Sequence, residues 1–343
     1  MRKLLNTLYV LSEENYLTLD GENIVILKGN ETVARYPLHI FENIISFSYK
    51  GATPSLMGAC AERNIGLSFF SPYGKFLART MGKSYGNVLL RKQQYLISSD
   101  HEKSIPYVRN MITGKIFNCR WSIERTLRDH GERVEYEKIK QISLELNEGI
   151  KKIQECTDLN TLRGIEGQLA SRYFSIFDDL IINQKDTFHF DGRNRRPPLD
   201  NVNALLSFAY TILGGDCANA LESNGLDSYV GFMHTDRPGR TSLALDLMEE
   251  LRGIMADRFV LTLINMKVIK PECFEKQQDG AVWLNDIGRK QFFKSWQERK
   301  KEVFMHPYLK EKVEWGLVPH IQALLFARTI RGDLEEYPPF LWK

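Results

Sequence analysis

One imidazole and three carboxylates stand out as side chains that could do chemistry. His234 lies in a turn-forming stretch, residues 231–240, and the helix predicted after it carries Asp246, Glu249 and Glu250 on one stripe. Residues three and four apart share a helix face, and like charges so close repel unless water or a cation separates them. Spacing leaves two interpretations open: a divalent-metal site fed by the loop histidine, or an acidic helix face in water.

A fourth carboxylate, Glu166, lies in a helical pattern between Gly164 and Gly167. A glycine inside a helix costs about 1 kcal/mol of stability relative to alanine. That cost is understandable where a DNA backbone or a second helix must approach closely. The alternative is a tightly packed helix crossing in which the glutamate is incidental.

Carboxylates with an imidazole and no thiolate favour Mg²⁺ or Mn²⁺ over structural zinc. Such an ion polarises a phosphodiester and stabilises charge on its oxygens.

The net charge of +3 does not by itself show nucleic-acid binding, so the positions of basic clusters matter more than the net charge. Candidates for phosphate contact are Arg193, Arg195, Arg196, Arg237 and Arg240. A further basic cluster, taken alone, indicates a solvated helix face: Arg289, Lys290, Lys294, Arg299, Lys300 and Lys301.

The elements that must position these residues fall into two parts. Short β-branched and aromatic runs separated by turn formers predict strands, with one helix at 54–63; the strands are predicted at 7–11, 16–19, 24–27, 32–36 and 67–71. Apolar residues then recur at helical spacing over 88–98, 105–130, 134–156, 159–182, 199–213, 241–260 and 287–304. We therefore predict an α+β fold. A small β-rich domain covers 1–84, and a larger, mainly α-helical domain covers 85–343, with a basic loop at 184–198 and a C-terminal tail at 331–343.

Composition and absent motifs exclude several classes of protein. A hydrophobic content of 43% and a charged content of 26% are those of a soluble globular chain, not of a disordered or fibrous one. The five cysteines form no CxxC pair, which argues against a disulfide framework and a structural zinc site. No apolar run approaches the roughly 20 residues that span a bilayer, so we expect a cytoplasmic protein. P-loop, GxGxxG, HExxH and GxSxG patterns are absent.

Four segments in order make the chain similar to a known family, the CRISPR-associated spacer integrases, or Cas-one endonucleases. The segments are EGQLASRYF at 166–174, RRPPLDNVNALLSF at 195–208, YVGFMH at 229–234 and RTSLALDLMEELR at 240–252. Each is modest alone, but the set is specific and the resemblance covers nearly the whole chain. The closing YPPFLWK at 337–343 resembles the variant found in type I systems of subtype C.

This resemblance implies a β domain that forms the homodimer and an α domain that holds a metal. The family's ligands are a Glu, a His and an acidic residue three positions after an Asp. They correspond to Glu166, His234 and Glu249, with Asp246 as the supporting carboxylate. Many members have Asp as the third ligand, so the division of roles among Asp246, Glu249 and Glu250 stays open.

The implied reaction joins the 3′-hydroxyl of a captured prespacer to a phosphodiester at the edge of a CRISPR repeat. The same chemistry run backwards, or with water, gives disintegration and nuclease activity on double-stranded or branched DNA. A second, smaller CRISPR-associated adaptation protein bridges two such dimers, and the C-terminal tail is either part of that assembly or a disordered end.

Two further residues of the matched segments are given supporting roles. Asn203 is expected to order the site rather than react. Tyr173 either contacts DNA or packs, and no membrane partner is expected. Two other functions stay open: a structure-selective repair nuclease, and a catalytically silent DNA-binding scaffold.

Overall fold

A computed structural model describes residues 6–72, 76–82, 87–194 and 197–343. The chain divides into two compact units. One comprises Met1–Tyr85, Leu284–Val303 and Glu314–Leu317, and the other comprises Gly86–Trp283, Phe304–Val313 and Val318–Lys343. The sequence prediction assigned the segments 284–303 and 314–317 to the helical domain, whereas the structure groups them with the strands. The described residues are rich in strands at first and mainly helical afterwards, which confirms the predicted fold class.

Two sheets form the strand-rich unit. The first contains, side by side, β1 (Thr7–Val10), β5 (Asn43–Ser46), β6 (Gly66–Phe70) and β7 (Phe76–Arg79), with β5 parallel to β1 and β6 and β7 antiparallel to β6. The second is an antiparallel meander of β2 (Asn15–Asp20), β3 (Asn23–Lys28) and β4 (Glu31–Pro37). The sequence patterns predicted five of these strands and missed β5 and β7.

Apolar side chains from both sheets and one helix share the core of this unit. Helix α1 (Pro54–Glu62) begins with proline in its first turn, and the Thr53 side chain accepts a hydrogen bond from Leu56 N at 3.3 Å. Fully buried members of the core include Leu17, Ile24, Leu38, Ile44, Leu56 and Leu67. Burying such side chains is the main source of stability of a small β-rich unit.

The helices after α1 match the predicted ranges only in part: the helix predicted at 159–182 ends at 174, the one predicted at 199–213 continues to 223, and the one predicted at 241–260 is two helices. The helices are α2 (Val88–Ser98), α3 (His101–His130), α4 (Tyr136–Glu155), α5 (Leu159–Phe174), α6 (Asn201–Ser223), α7 (Ser242–Arg252), α8 (Arg258–Asn265), α9 (Asp286–Lys301) and α10 (Val318–Arg331). A π-helical segment, Gly253–Asp257, joins α7 to α8. Short strands β8 (Phe274–Lys276), β9 (Val282–Leu284), β10 (Val303–Met305) and β11 (Lys312–Glu314) form two small pairs. The sequence patterns did not indicate α10.

Helix α9 packs within the strand-rich unit. The ring of Phe293 stacks on Tyr9 of β1 with centroids 4.0 Å apart. The spacing had indicated one solvated face for the basic residues of α9. This is wrong, because some of these residues are buried. Arg289 and Lys300 are buried, and the exposed members are Lys290, Lys294 and Lys301.

Among the described residues, α6 is long and apolar enough to cross a membrane by length and composition, although the sequence had indicated no such run. However, 61% of its apolar window is buried inside the structure. This is the environment of a core helix.

All five cysteines are buried and none is in a disulfide, as their scattered spacing predicted.

The last seven residues, 337–343, pack against the helical unit instead of forming a disordered end. Tyr337 and Phe340 are 2% and 0% exposed. Asn118 of α3 donates to Phe340 O at 2.8 Å and to Glu250 O at 2.7 Å, and it accepts from Trp342 N at 3.1 Å. One amide side chain thus joins α3, α7 and this terminal segment.

Removing residues 337–343 is expected to lower the free energy of unfolding by about 3 kcal/mol or more. The deletion leaves Asn118 and Glu250 buried with unmet hydrogen bonds and uncovers apolar surface. Urea unfolding followed by circular dichroism measures the loss. Deleting only Lys343, which is exposed, is the control and should change stability little. Equal stability of the two deletions would contradict this account.

Candidate active site

The carboxylate of Asp246 organises the histidine loop. Its Oδ2 accepts hydrogen bonds from Phe232 N at 2.6 Å and Met233 N at 3.0 Å, and its Oδ1 accepts from His234 N at 2.9 Å. Oδ1 also lies 2.6 Å from Nδ1 of the His234 ring. Asp246 is fully buried, so its oxygens serve the loop. The supporting role that the family resemblance implied for Asp246 stays a prediction.

Close backbone packing fixes this loop against the start of α7. A Cβ on Gly231 would lie 2.6 Å from Ser242 Cβ and 2.7 Å from His234 O, so only glycine fits. Arg163 of α5 donates from Nε to Met233 O at 2.9 Å. The helix that carries Glu166 is thereby tied to the loop that carries His234.

Four charged side chains, Lys115, Glu166, Glu249 and Arg252, form a buried cluster that we call the charge cluster. Lys115 Nζ lies 2.5 Å from Glu249 Oε2 and also hydrogen-bonds Glu166 Oε1. Arg252 Nη1 lies 3.3 Å from Glu249 Oε1. The side chains of Lys115, Glu166 and Glu249 are 5%, 15% and 8% exposed. Two cations thus balance two carboxylates away from bulk water.

The cluster keeps its charges in spite of burial. Burial opposes ionisation of Glu249, but the charges of Lys115 and Arg252 outweigh it and hold the pKa of this carboxyl at about 2. Burial also acts to lower the pKa of Lys115, and the carboxylates of Glu249 and Glu166 outweigh it and raise that pKa. Both partners therefore stay ionised across the physiological range of pH.

Glu250 points to different partners than its neighbour Glu249. Its Oε1 accepts from the Tyr337 hydroxyl and from Gln322 Nε2 at 3.3 Å, and its Oε2 accepts from Phe340 N at 3.0 Å. The acidic stripe of α7 is therefore not a helix face in water. Each of its three carboxylates is buried and serves a different set of groups.

The predicted metal ligands converge only in part. Among the described residues, no three His, Cys, Asp or Glu side chains are arranged to hold a metal ion. Glu166 and Glu249 do meet, with the Lys115 ammonium between them. Glu249 Oε2 accepts no aligned hydrogen bond although Lys115 Nζ is 2.5 Å away.

The chemistry of these donors fits a hard divalent cation. The carboxylate oxygens of Glu166 and Glu249 are of the kind that Mg²⁺ or Mn²⁺ binds. A proton on Nδ1 of His234, donated to Asp246, leaves Nε2 as a possible ligand, and this carboxylate-oriented arrangement is common in metal-binding histidines. For all three to bind one ion, Lys115 must leave the space between the two glutamates.

The two glycines beside Glu166 lie on an open helix face. A Cβ on Gly164 or Gly167 would meet nothing within 4 Å, and both residues are exposed. A tightly packed helix crossing at this point is therefore wrong. The face remains available to a ligand that must approach the backbone closely.

Asn203 of α6 and Arg193 hold the later part of the predicted basic loop, 184–198. The Asn203 side chain accepts from Arg193 Nη1 and donates to Gly192 O at 2.9 Å and to Asp200 Oδ2 at 2.7 Å. Asn203 is fully buried and orders the loop, consistent with its expected supporting role. Arg193 points inward, with its guanidinium carbon 5.1 Å from the centre of the Tyr210 ring. Arg195 and Arg196 lie outside the described residues.

Other predicted residues divide between surface and core. Arg237 is exposed in the loop after His234, and Arg240 is partly buried. Tyr173 is 2% exposed and packs against Phe174 and Phe177. Its role is therefore packing, and contact with DNA is excluded for this side chain because the ring lies inside the helical unit.

Lys115 and Arg252 belong to the charge cluster but were not predicted from the sequence. Arg252 was visible at the end of a matched segment, three residues after Glu249 and so on the same helix face. Lys115 gave a weaker signal: a lone cation among the apolar residues Met111, Ile112 and Ile116 of a helix that is otherwise buried there. A buried lysine requires a carboxylate partner, and that requirement could have linked it to the acidic residues.

The four segments that carry the family resemblance, between residues 166 and 252, lie inside the stretch that a family model matches. The family model described as CRISPR associated protein Cas1 matches residues 8–298. A protein of Chlorobaculum tepidum named CRISPR-associated endonuclease Cas1 1 is 44% identical over 343 residues, which is 100% of each chain. One of Rhodospirillum rubrum named CRISPR-associated endonuclease Cas1 2 is 46% identical over 347 residues, again 100% of each.

Solved structures share the fold. A casposase bound to integration product matches with a TM-score of 0.83 and 20% identity, over 98% of this chain and 94% of that one. A chain of a Cas6-RT-Cas1–Cas2 complex matches with a TM-score of 0.81 and 21% identity, over 98% of this chain and 36% of that one. Identities this low show the architecture alone.

Replacing Glu250 with glutamine is expected to change how stability depends on pH. Burial raises the pKa of Glu250 to about 7 from its ordinary value of 4.5, and its hydrogen bonds offset this only partly. Between these values the folded protein binds more protons than the unfolded chain, so stability falls as pH rises from 4.5 through 7. The full loss for this group is about 3 kcal/mol.

Urea unfolding of wild type and Glu250→Gln at pH 5 and pH 8, without divalent cations, measures this effect. The wild type should lose more stability between the two values than the variant, because glutamine mimics the protonated acid at both. Glu249, with its pKa at about 2, titrates below this window and does not interfere. An identical pH dependence of both proteins would refute the assignment.

Proposed function

Because this chain belongs to the CRISPR-associated Cas1 family, we propose that it is a metal-dependent DNA integrase and endonuclease of CRISPR adaptation. One observation carries the proposal. Glu166 and Glu249, from two of the matched segments, meet at the buried Lys115. His234, from a third segment, is oriented by the fully buried Asp246.

The reaction is a transesterification. The 3′-hydroxyl oxygen of a prespacer forms a bond to a phosphorus at the edge of a CRISPR repeat. The phosphodiester bond there breaks, and the displaced strand leaves with a free 3′-hydroxyl. With water in place of the 3′-hydroxyl, the same displacement is cleavage.

Glu166, His234 and Glu249 are the residues that would hold Mg²⁺ or Mn²⁺. The ion, when bound, supplies polarisation of the scissile phosphodiester. Arg252 and Lys115 keep Glu249 ionised, and Asp246 fixes the orientation of His234. These contacts set the charge of Glu249 and the direction of His234 before DNA arrives.

We propose that DNA binds along the exposed face of helix α5. The exposed Gly164 and Gly167 flank Glu166 there, and the exposed Arg237 follows the histidine loop. Glycine permits close approach of a phosphate backbone, and arginine provides the positive charge that binds it. Arg195, Arg196 and Arg240 remain further candidates for phosphate contact.

The proposed assembly is a homodimer formed through the β-rich unit, with a small second adaptation protein bridging two dimers in the cytoplasm. Its support is family membership and two solved complexes with the same architecture, a casposase bound to integration product and a Cas6-RT-Cas1–Cas2 complex.

His234→Ala and Glu166→Ala are expected to abolish covalent joining of a fluorescent prespacer to a supercoiled plasmid that carries a CRISPR repeat. The assay contains Mg²⁺ or Mn²⁺, with and without the small partner. His130→Ala, on an exposed histidine at the end of α3, is the control and should retain joining. Cleavage without joining would favour a structure-selective nuclease. Binding without either reaction would favour a DNA-binding scaffold, and joining by the variants would refute the assigned site.

Gly167→Ala is expected to raise the stability of the protein and to lower its affinity for DNA. The methyl group meets nothing within 4 Å, so the helix gains about 1 kcal/mol of stability. If a DNA backbone passes over this face, the methyl group should weaken binding by about tenfold, or ~1.4 kcal/mol. Fluorescence anisotropy with labelled duplex, beside thermal unfolding, measures both effects.

Gly215→Ala is the matched control for this test. Gly215 lies in the interior of α6, and a Cβ there also meets nothing within 4 Å. It should stabilise the protein to a similar extent while leaving DNA affinity unchanged. Unaltered binding by Gly167→Ala would remove DNA from this face of α5.

A further inference from the structure

A lysine ammonium lies where the proposed metal would lie. Lys115 Nζ is 2.5 Å from Glu249 Oε2 and also hydrogen-bonds Glu166 Oε1, so one cation already joins the two carboxylates. Both carboxylates are largely buried, and few waters can take over the role of the ammonium. An incoming ion therefore competes with a group that belongs to the chain itself.

The backbone that carries Lys115 is packed closely against α7 and the π-helical segment. A Cβ on Gly114 would lie 2.9 Å from Glu250 Cβ, so α3 and α7 are already at the closest distance that glycine allows. A Cβ on Gly253 would lie 2.8 Å from Cys119 Sγ, one turn further along α3. Rotation of its four-carbon side chain moves the ammonium without changing this helix packing.

The balance of charge makes this movement matter. Lys115 and Arg252 neutralise Glu166 and Glu249 as they stand. A divalent ion in the same space would leave two uncompensated positive charges in a region of low dielectric, which is costly. Each of two changes removes one of these charges: the ammonium moves out, or an anionic phosphodiester arrives with the ion.

We propose that Lys115 is a built-in counter-cation that lowers the divalent-metal affinity of the DNA-free site, so that metal is taken up together with a DNA phosphate. This inference rests on the proposed function. Lys115 is a positioning residue here, since it acts on the carboxylates and not on the substrate. The ammonium protects the carboxylates in the DNA-free protein and gives way when DNA supplies negative charge.

Metal binding tests the proposal without catalysis. Mn²⁺ is titrated into DNA-free wild type and Lys115→Met, and the free ion is measured by its electron paramagnetic resonance signal. The variant should bind Mn²⁺ at least about tenfold more tightly, because the ion no longer displaces an ammonium. Without metal, the variant should unfold at lower temperature than the wild type, since two buried carboxylates lose a partner.

DNA provides the second half of the test. The titrations are repeated with a duplex that binds but has no 3′-hydroxyl and cannot react. DNA should tighten Mn²⁺ binding to the wild type more than to Lys115→Met. The difference in Mn²⁺ affinity between the two proteins should therefore be smaller with DNA than without it. A difference that stays constant would overturn the coupling to DNA.

Two further variants keep the test decisive. Lys115→Gln removes the charge but can still donate a hydrogen bond, and it replaces Lys115→Met if that protein does not fold. Lys138→Met breaks an ion pair with Asp179 in which the lysine side chain is 50% exposed, and it should leave Mn²⁺ affinity unchanged. Equal or weaker Mn²⁺ binding by the folded Lys115 variant would overturn the proposal.

Failure of this inference is distinguishable from failure of the proposed function. If wild type joins DNA in a metal-dependent reaction but the Lys115 variants gain no Mn²⁺ affinity, the inference alone is wrong. If wild type neither binds Mn²⁺ nor joins DNA, the proposed function is wrong and the inference falls with it.

Discussion

Helix α3 packs against α7 and the π-helical segment so closely that a side chain at position 114 or 253 would collide with its neighbour. This packing brings Lys115 next to Glu249, and with it an ion pair into the interior. In a medium of low dielectric such a pair is strong, but either member alone is costly. The arrangement of the whole site follows from that constraint, because each buried charge must have a partner from another element.

The three acids of α7 show how one helix meets this requirement. Asp246 is satisfied by the backbone of the histidine loop, Glu249 by two cations and Glu250 by the terminal segment. Although the three lie close in sequence, they do not act as one acidic patch. Their neighbours separate them into a loop organiser, a metal-ligand candidate and a structural anchor.

Much of the fold could be predicted from local patterns. Alternating and helical patterns of apolar residues predicted most elements. The predicted ends of α2 are those of the structure, and the predicted end of α1 is one residue too late. Tertiary relationships were harder to predict. Helix α9 has an ordinary amphipathic pattern, and nothing in that pattern states that its apolar side packs with β1. The strands β5 and β7 are only four residues each and carry little periodic signal.

The site was predictable to a similar degree. Glu166, His234 and Glu249 were found through motifs, but their spacing could not show whether the α7 stripe faced water or protein. Lys115 is 51 residues from Glu166 in sequence, and no local pattern connects two groups so far apart. Burial of Tyr173 is likewise a tertiary property, since a tyrosine beside a charged motif is compatible with surface or core.

The packed terminal segment has a consequence for the order in which the molecule folds. Asn118 is 222 residues from Phe340, and Glu250 is 90 residues from it. Contacts of such long sequence separation form late, because the intervening chain must first lose much of its freedom. During synthesis, the contacts of Asn118 and Glu250 with this segment cannot form until residues 337–343 have emerged from the ribosome. The helical unit reaches the packing described above only after that point.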